Sequence, residues 1–508
     1  IAREFGALTC NPAQGEDPVA LGIKLSRGRG VDAVIITAST KSSDPVSQAA
    51  QMSRKRGRII LVGVTGLELN RAEFYEKELS FQVSCSYGPG RYDPDYEEKG
   101  QDYPIGFVRW TEQRNFEAIL DMMSMGVIDV KSLITHRIKF EDAKQAYETL
   151  TDDPSALGIV LDYVDLEIAK RVVSTIQLRE NNVTFQADTP VVGFVGAGNY
   201  ASRMLIPAFK EAGAQLHTIA TSSGTSGVVH GEKNQFFKAT TDTQGMFDDP
   251  QVNTVAVVTR HSSHAGFVCS ALVAGKHVFV EKPLAIDLKQ LAQVDNVYQQ
   301  QLQTNPVRLM VGFNRRFSPH IVKMKSLLQG SAHAKSIIMT VNAGSIPPEH
   351  WTQDPQVGGG RVIGEACHFI DLMRFLVGEL ITSVHARCLE DSDGTKQDDV
   401  TIITLGFADG SVGSVHYFAN GAASFPKERV EVFMGEKILQ LDNFRKLKGY
   451  GFKDFKNLDL WQQDKGHKAC AKAFLDAIVN GQPCPIDYAQ LYEVAKVTID
   501  VAQQLENQ

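Results

Sequence analysis

The chain has 508 residues and a formal net charge of −7, from 52 Lys+Arg against 59 Asp+Glu. With 43% hydrophobic and 22% charged residues it is neither disordered, collagen-like nor low in complexity, and its mild acidity excludes a broad nucleic-acid surface. At about 150 residues per domain the length predicts three to four domains, and no apolar run approaches the ~18 residues of a membrane helix. The first residues, Ile-Ala-Arg-Glu-Phe-Gly, with no Met or signal peptide before them, read as the end of a helix closed by Gly6. Short apolar runs at 31–38, 58–64 and 79–86 read as buried parallel strands, with a helix at 45–53 between the first two. A polar, Gly/Pro-rich loop fills 87–104. Helices follow at 115–125 and 140–150, then a strand at 158–163. Residues 165–188, helix-prone and charged and then polar, read as a connector. Strand and helix patterns alternate again to about residue 310. The last part differs: β-branched strand runs at 336–342, 400–407, 412–419 and 430–434 precede helices at 468–478 and 488–504. That arrangement predicts an α+β domain with an open, largely antiparallel sheet. Seven widely spaced cysteines without a C-x-x-C pair argue against disulfides and structural metal, and for a reducing, cytoplasmic setting.

The chemistry concentrates in the second half. Residues 191–201 read VVGFVGAGNYA, a G-x-G-x-x-A motif at Gly196, Gly198 and Ala201 directly after a buried strand. The first Gly permits a tight turn, and the second lets backbone approach a pyrophosphate. The Ala lets helix and strand pack, and the helix N-terminus faces the phosphates. The motif predicts a dinucleotide site that includes Asn199 and Tyr200; the alternative is a Gly turn in an unrelated α/β unit. The next strand, 215–220, runs out into Thr221, Ser222 and Ser223. No acid stands there for a ribose 2′-hydroxyl and no adjacent Arg for a 2′-phosphate, so NAD and NADP both stay open. The strand at 255–259 ends in Thr259, Arg260, His261 and His264, where doubly wound sheets bind ligands. Cofactor contact or helix capping suits these histidines better than a role as a free-standing base. The run HVFVEKPL at 277–284 brings Glu281 and Lys282 to a strand end stopped by Pro283. A lysine beside a nicotinamide can act in proton transfer; otherwise it is a solvated loop residue.

Together, G-x-G-x-x-A, G-K-H-V-F-V-E-K-P at 275–283 and G-F-N-R-R-F at 312–317 resemble the Gfo/Idh/MocA oxidoreductase family over about residues 189–508. The resemblance implies a complete Rossmann NAD(P)-binding domain and a C-terminal sheet domain that covers the nicotinamide, builds the substrate pocket and forms a homo-oligomer interface. It implies a sugar, cyclitol or related substrate, with Lys282 contacting both the nicotinamide side and the substrate hydroxyl. The family's GGG-x-x-x-D-x-G-x-H helix matches Gly358–Gly360 and keeps its histidine as His368, but its Asp position is Gly364, followed by Glu365. At i and i+3 on a helix, Glu365 and His368 share a face, so Glu365 is expected to support His368 as acid/base or to be a structural acid. Trp351 offers a stacking face for a sugar ring. Arg315 or Arg316 offers an anion contact, one of the two being structural.

Residues 1–165 resemble the C-terminal part of a zinc-type medium-chain alcohol dehydrogenase, through VDAVIITAS, GRIILVGV and the helix-then-strand at 144–163. That family's Gly-rich turn, first two strands and zinc ligands have no counterpart here, so no catalysis is assigned to this segment. It is expected to be a cut Rossmann-like unit with exposed sheet edge and apolar surface, and the chain a fragment. The order of the two segments resembles bi-domain oxidoreductases associated with bacterial surface-polysaccharide clusters. The expected division is 1–165, a connector at 166–188, a dinucleotide-binding domain at 189–310 and a substrate domain at 311–508. The expected activity is hydride transfer between NAD or NADP and a carbohydrate-type substrate, with no nucleic-acid or membrane partner. The alternatives are a glycosidase working by transient oxidation and elimination, and a non-catalytic dinucleotide-binding protein.

Overall fold

The computed structural model describes residues 2–163, 173–180, 185, 189–390 and 396–507, with 396–398 by backbone only. It divides into two compact units, residues 1–167 and 168–508. In the first, strands Val31–Ile36, Ser53–Leu61 and Ser80–Val83 form a parallel sheet, and Ile134–Lys139 pairs in parallel with Gly158–Asp162. Residues 2–6 form turns closed as a helix C-terminus is: Ala7 N–H donates to the Ala2 carbonyl and Gly6 N–H to the Arg3 carbonyl, 3.0 Å each, with Gly6 in the left-handed region at φ +79°. The core is small: Ile36, Val46, Ala49, Ala50, Ile59 and Leu61. Ile35, Val64, Val83 and Phe107 stay exposed, so the expected apolar surface is present on this unit.

In the second unit, seven strands form a sheet in the order 309–311, 277–280, 254–257, 191–195, 215–220, 238–240, 175–177. The first six are mutually parallel. The seventh, Thr175–Gln177, runs antiparallel along Lys238–Thr240. It lies inside the stretch read as a connector, and three polar-flanked residues carry too short a pattern to announce a strand. The helix-prone start of that stretch, 165–172, lies outside the described residues. The central strand Val191–Val195 is buried at every position, as a strand covered on both faces must be. The chain leaves it towards 215–220 on one side and returns to 254–257 on the other. The order therefore reverses between 191–195 and 254–257, and the crevice beyond their carboxyl ends is the place such sheets offer to a ligand.

The C-terminal sheet has eight strands, in the order 381–390, 396–407, 412–418, 336–342, 428–434, 437–442, 446–450, 457–459. The one parallel neighbour pair is 336–342 with 412–418; all other pairs are antiparallel. Along Ser336–Asn342 burial alternates, the pattern of a sheet with one covered face. Helices Cys367–Val377, His467–Val479 and Tyr488–Glu506 pack inside a single apolar core shared with the parallel sheet. No helix of the described residues is long and apolar enough to cross a membrane.

Candidate active site

The glycine-rich turn sits at the point where the sheet order reverses. Gly196 has φ +103°, and a Cβ on it would stand 2.4 Å from the Val258 carbonyl oxygen on the far side of the crevice. Only glycine fits both the left-handed backbone and that approach. Around Gly198 the space is open, as a backbone that must receive a diphosphate requires. Ala201 is fully buried against the strand, and a π-helical turn, Ala201–Leu205, opens the helix behind it. The turn thus fits a dinucleotide diphosphate by its own geometry. Asn199 and Tyr200 lie on the same turn, exposed at its rim. Past strand 215–220, Ser222 and Ser223 are exposed and Thr221 Oγ1 is buried without a partner among the described residues.

The loops after strands 254–257 and 277–280 are tied together. His264 is buried, its Nδ1 2.7 Å from the Pro283 carbonyl oxygen and its Nε2 3.1 Å from that of Thr259. It packs between the two strand ends, and since burial holds its pKa below the ordinary value, the neutral ring donates to one of these carbonyls at a time. Thr259 and Ser263 share a hydroxyl hydrogen bond of 2.6 Å, while Arg260 reaches over the Trp351 ring. The Lys282–Pro283 peptide is cis. Lys282 Nζ donates to the Gly364 carbonyl oxygen at 2.6 Å, which fixes Nζ against the helix that carries His368. His261 is buried, with Nδ1 2.7 Å from the Gly358 carbonyl oxygen and its ring edge-on to Trp351 at 4.8 Å.

Glu281 points the other way. Its carboxyl is buried over Gly312, where an added Cβ would stand 2.7 Å from Oε1, and it is hydrogen-bonded to Tyr200. Burial pushes its pKa up to about 7, against the opposing charges of Lys282 and Arg315. Below its ordinary value of 4.5 the group is protonated folded or unfolded. Above that only the unfolded chain ionises, so stability falls as pH rises towards 7 and then levels. Glu281→Gln removes this titration. The variant should gain nothing over the parent at pH 4.5 and on the order of 1–3 kcal/mol above pH 7. Urea unfolding at both pH values measures it; an advantage equal at both would exclude the buried, ionisable carboxyl.

His368 is buried, and its Nδ1 has no partner among the described residues. Burial first, then the charges of Arg315 and Lys282, push its pKa well below the ordinary value, so it is a neutral imidazole. Glu365 does not reach it by any hydrogen bond among the described residues. Tyr417 donates to Glu365 Oε2 at 3.0 Å, and Arg361 pairs with Oε1 at 3.1 Å. The cause is local: Val362–Ala366 is a π-helical turn, and its i→i+5 bonding breaks the register that would set residue 365 beside residue 368. Arg315 is also committed inside the protein, Nε and Nη2 each 2.9 Å from the Glu428 carboxylate. Arg316 binds Asp371 and Gln490. Both guanidinium groups therefore hold the sheet and helices together, where an anion contact was expected from one. Trp351 is half-buried beside His261. Among the described residues no group of three or more His, Cys, Asp or Glu could hold a metal.

The reason for glycine at position 364 was not visible in the sequence. A Cβ there would stand 2.8 Å from His261 Cε1. The missing side chain makes room for an imidazole from another loop.

Comparison with known proteins agrees with this geometry. Residues 191–313 match an oxidoreductase family with an NAD-binding Rossmann fold, and residues 329–439 match the GFO/IDH/MocA C-terminal domain. Myo-inositol 2-dehydrogenase of Thermotoga maritima is 29% identical over 220 residues, which cover 42% of this chain and 64% of that protein. Levoglucosan dehydrogenase of Pseudarthrobacter phenanthrenivorans is 28% identical over 214 residues, 36% of this chain and 54% of that one. The chain thus spans less than two thirds of either. Among solved structures, an oxidoreductase domain protein from Kribbella flavida superposes with a TM-score of 0.56 at 20% identity, over 63% of this chain and 98% of its own. A levoglucosan dehydrogenase in complex with NADH and levoglucosan also gives 0.56, at 21% identity, over 63% and 97%. Over residues 191–313 and 329–439 the chain is therefore similar to the NAD-binding and C-terminal domains of GFO/IDH/MocA oxidoreductases.

Proposed function

We propose that the chain interconverts a secondary alcohol and a carbonyl on a sugar, cyclitol or sugar derivative, with NAD or NADP as the redox partner. The observation that carries this reading is Lys282, whose Nζ is held 2.6 Å from the Gly364 carbonyl oxygen on a turn that His264 packs between itself and the loop beside the glycine-rich crevice. Bound in that crevice, the nicotinamide would supply the hydride acceptor or donor. Lys282 as the free amine takes the hydroxyl proton in oxidation, becoming the ammonium, and returns that proton in reduction. The Gly364 carbonyl keeps Nζ aimed in both states. Neutral His368, one turn further along its helix, offers a ring nitrogen to the same hydroxyl. Trp351 gives a sugar ring an apolar face. The relatives named above act on polyols of this kind by name, which supports the substrate class. Seven widely spaced cysteines without a C-x-x-C pair support a reducing setting.

The test is the full chain with NAD+ or NADP+ against myo-inositol, scyllo-inositol and levoglucosan, followed by absorbance of the reduced nicotinamide. Turnover of at least one is expected. Cofactor binding with no polyol oxidised, and none of the corresponding ketones reduced, would sink the reading.

The open face of the C-terminal sheet exposes Ile338, Ile402, Val412 and Phe433, which alternation and register place on one side. We assign it to self-association. Light scattering should give a mass above that of one chain, and Ile402→Lys should lower it.

A further inference from the structure

We propose that His261 is a substrate-binding residue of this site: its Nε2 accepts a hydrogen bond from the substrate, in the space where position 364 carries no side chain. The inference rests on the oxidoreductase reading above.

Its tautomer follows from its partner. A carbonyl oxygen cannot donate, so at 2.7 Å from Gly358 O the Nδ1 atom must carry the proton. In the neutral ring Nε2 is then left as a bare acceptor. Burial, with the charge of Lys282 adding to it, holds the pKa at about 3, so the ring stays a neutral acceptor and does not carry protons itself. Nε2 has no hydrogen-bond partner among the described residues, yet it is not among the sealed, unpartnered polar atoms. It therefore reaches solvent. Its position is set by Gly364: the ring lies 2.8–3.9 Å from where a Cβ at 364 would be, and the carbonyl of the same Gly364 binds Lys282 Nζ. An acceptor and a proton carrier thus flank one residue, with Trp351 against the imidazole edge. A polyol hydroxyl that faces Lys282 has a neighbouring hydroxyl for Nε2 to hold. In oxidation the proton of the reacting hydroxyl passes to Lys282, and the C–H hydrogen leaves with both electrons to the nicotinamide. His261 gains and loses no proton in that balance; it orients the ring.

Four variants and one spectroscopic measurement decide it. In the intact chain labelled with 15N-histidine, His261 should show a protonated Nδ1 and a bare Nε2 at neutral pH; a protonated Nε2 would overturn the proposal. His261→Phe keeps the volume without the acceptor. It should raise KM for whichever of the three polyols turns over by about tenfold, with NAD affinity unchanged. An unchanged KM, or a loss of NAD affinity instead, would overturn it. Gly364→Asp alone should unfold at lower temperature than the parent, because its Cβ meets the imidazole. His261→Ala with Gly364→Asp should recover both stability and, relative to His261→Ala, about tenfold in kcat/KM. A double variant no better than the sum of its parts would count against the shared space. If none of the three polyols turns over, the functional reading fails, while the tautomer and the stability rescue still decide whether His261 presents its acceptor at position 364.

Discussion

Lys282→Met is expected to lower turnover by about a thousandfold, some 4 kcal/mol in the barrier, while the cofactor still binds. Methionine keeps most of the length and apolar stem but cannot take or give a proton. Its partner, the Gly364 carbonyl, is lost as an aiming device in the same step. The diphosphate cradle at Gly196 and Gly198 is on a separate turn and should be untouched. Stopped-flow and steady-state kinetics with a competent polyol, beside fluorescence titration of reduced nicotinamide, separate the two effects. A variant that turns over at the parental rate would remove Lys282 from the chemistry. One that fails to bind NAD would make it a cofactor anchor.

Glu428→Ala should cost about 3–5 kcal/mol of stability, read as the urea midpoint of the second unit. Glu428 is buried, and three cationic contacts converge on it: Arg315 through Nε and Nη2 at 2.9 Å each, and Lys465 Nζ at 2.6 Å. Burial alone would raise its pKa, but the Arg315 and Lys465 charges outweigh that and hold it at about 2. A carboxylate with a depressed folded pKa stabilises above its ordinary 4.5, and that contribution fades as pH falls towards 2. The alanine variant leaves Arg315 and Lys465 facing each other without a counter-charge, so the loss should be large at pH 7 and shrink in acid. A loss that is small, or that does not change with pH, would mean the cations find water or other partners.

What the sequence made legible was what depends on local backbone. The Gly196 turn and the Lys282-Pro283 stop are each written in a few consecutive residues, and their physics, a left-handed φ and a strand terminus, acts at that range. Contacts between distant segments were not legible. Arg315 read as a possible substrate anion contact because Glu428 is 113 residues away in the chain and meets it only in the fold. Glu365 read as the partner of His368 because helical spacing assumes 3.6 residues per turn, and the π-helical turn at 362–366 breaks that assumption. Gly364 looked like a lost acid, whereas the space belongs to His261. Thr175–Gln177 is a strand only because Lys238–Thr240 offers it an edge.

The apolar core of the second unit runs without a break from Val192 on the parallel sheet to Leu505 on the last helix. Two folding domains that share one interior have no separate melting points. Denaturant should release the glycine-rich crevice and the eight-stranded sheet in one cooperative step, with a steep slope set by their joint surface. The N-terminal unit, with its own core of six side chains, should come apart in a shallower step of its own. Amide exchange near Lys282 would then report the global opening of about 340 residues, a reason for the Lys282 turn to stay closed long after the first unit has frayed.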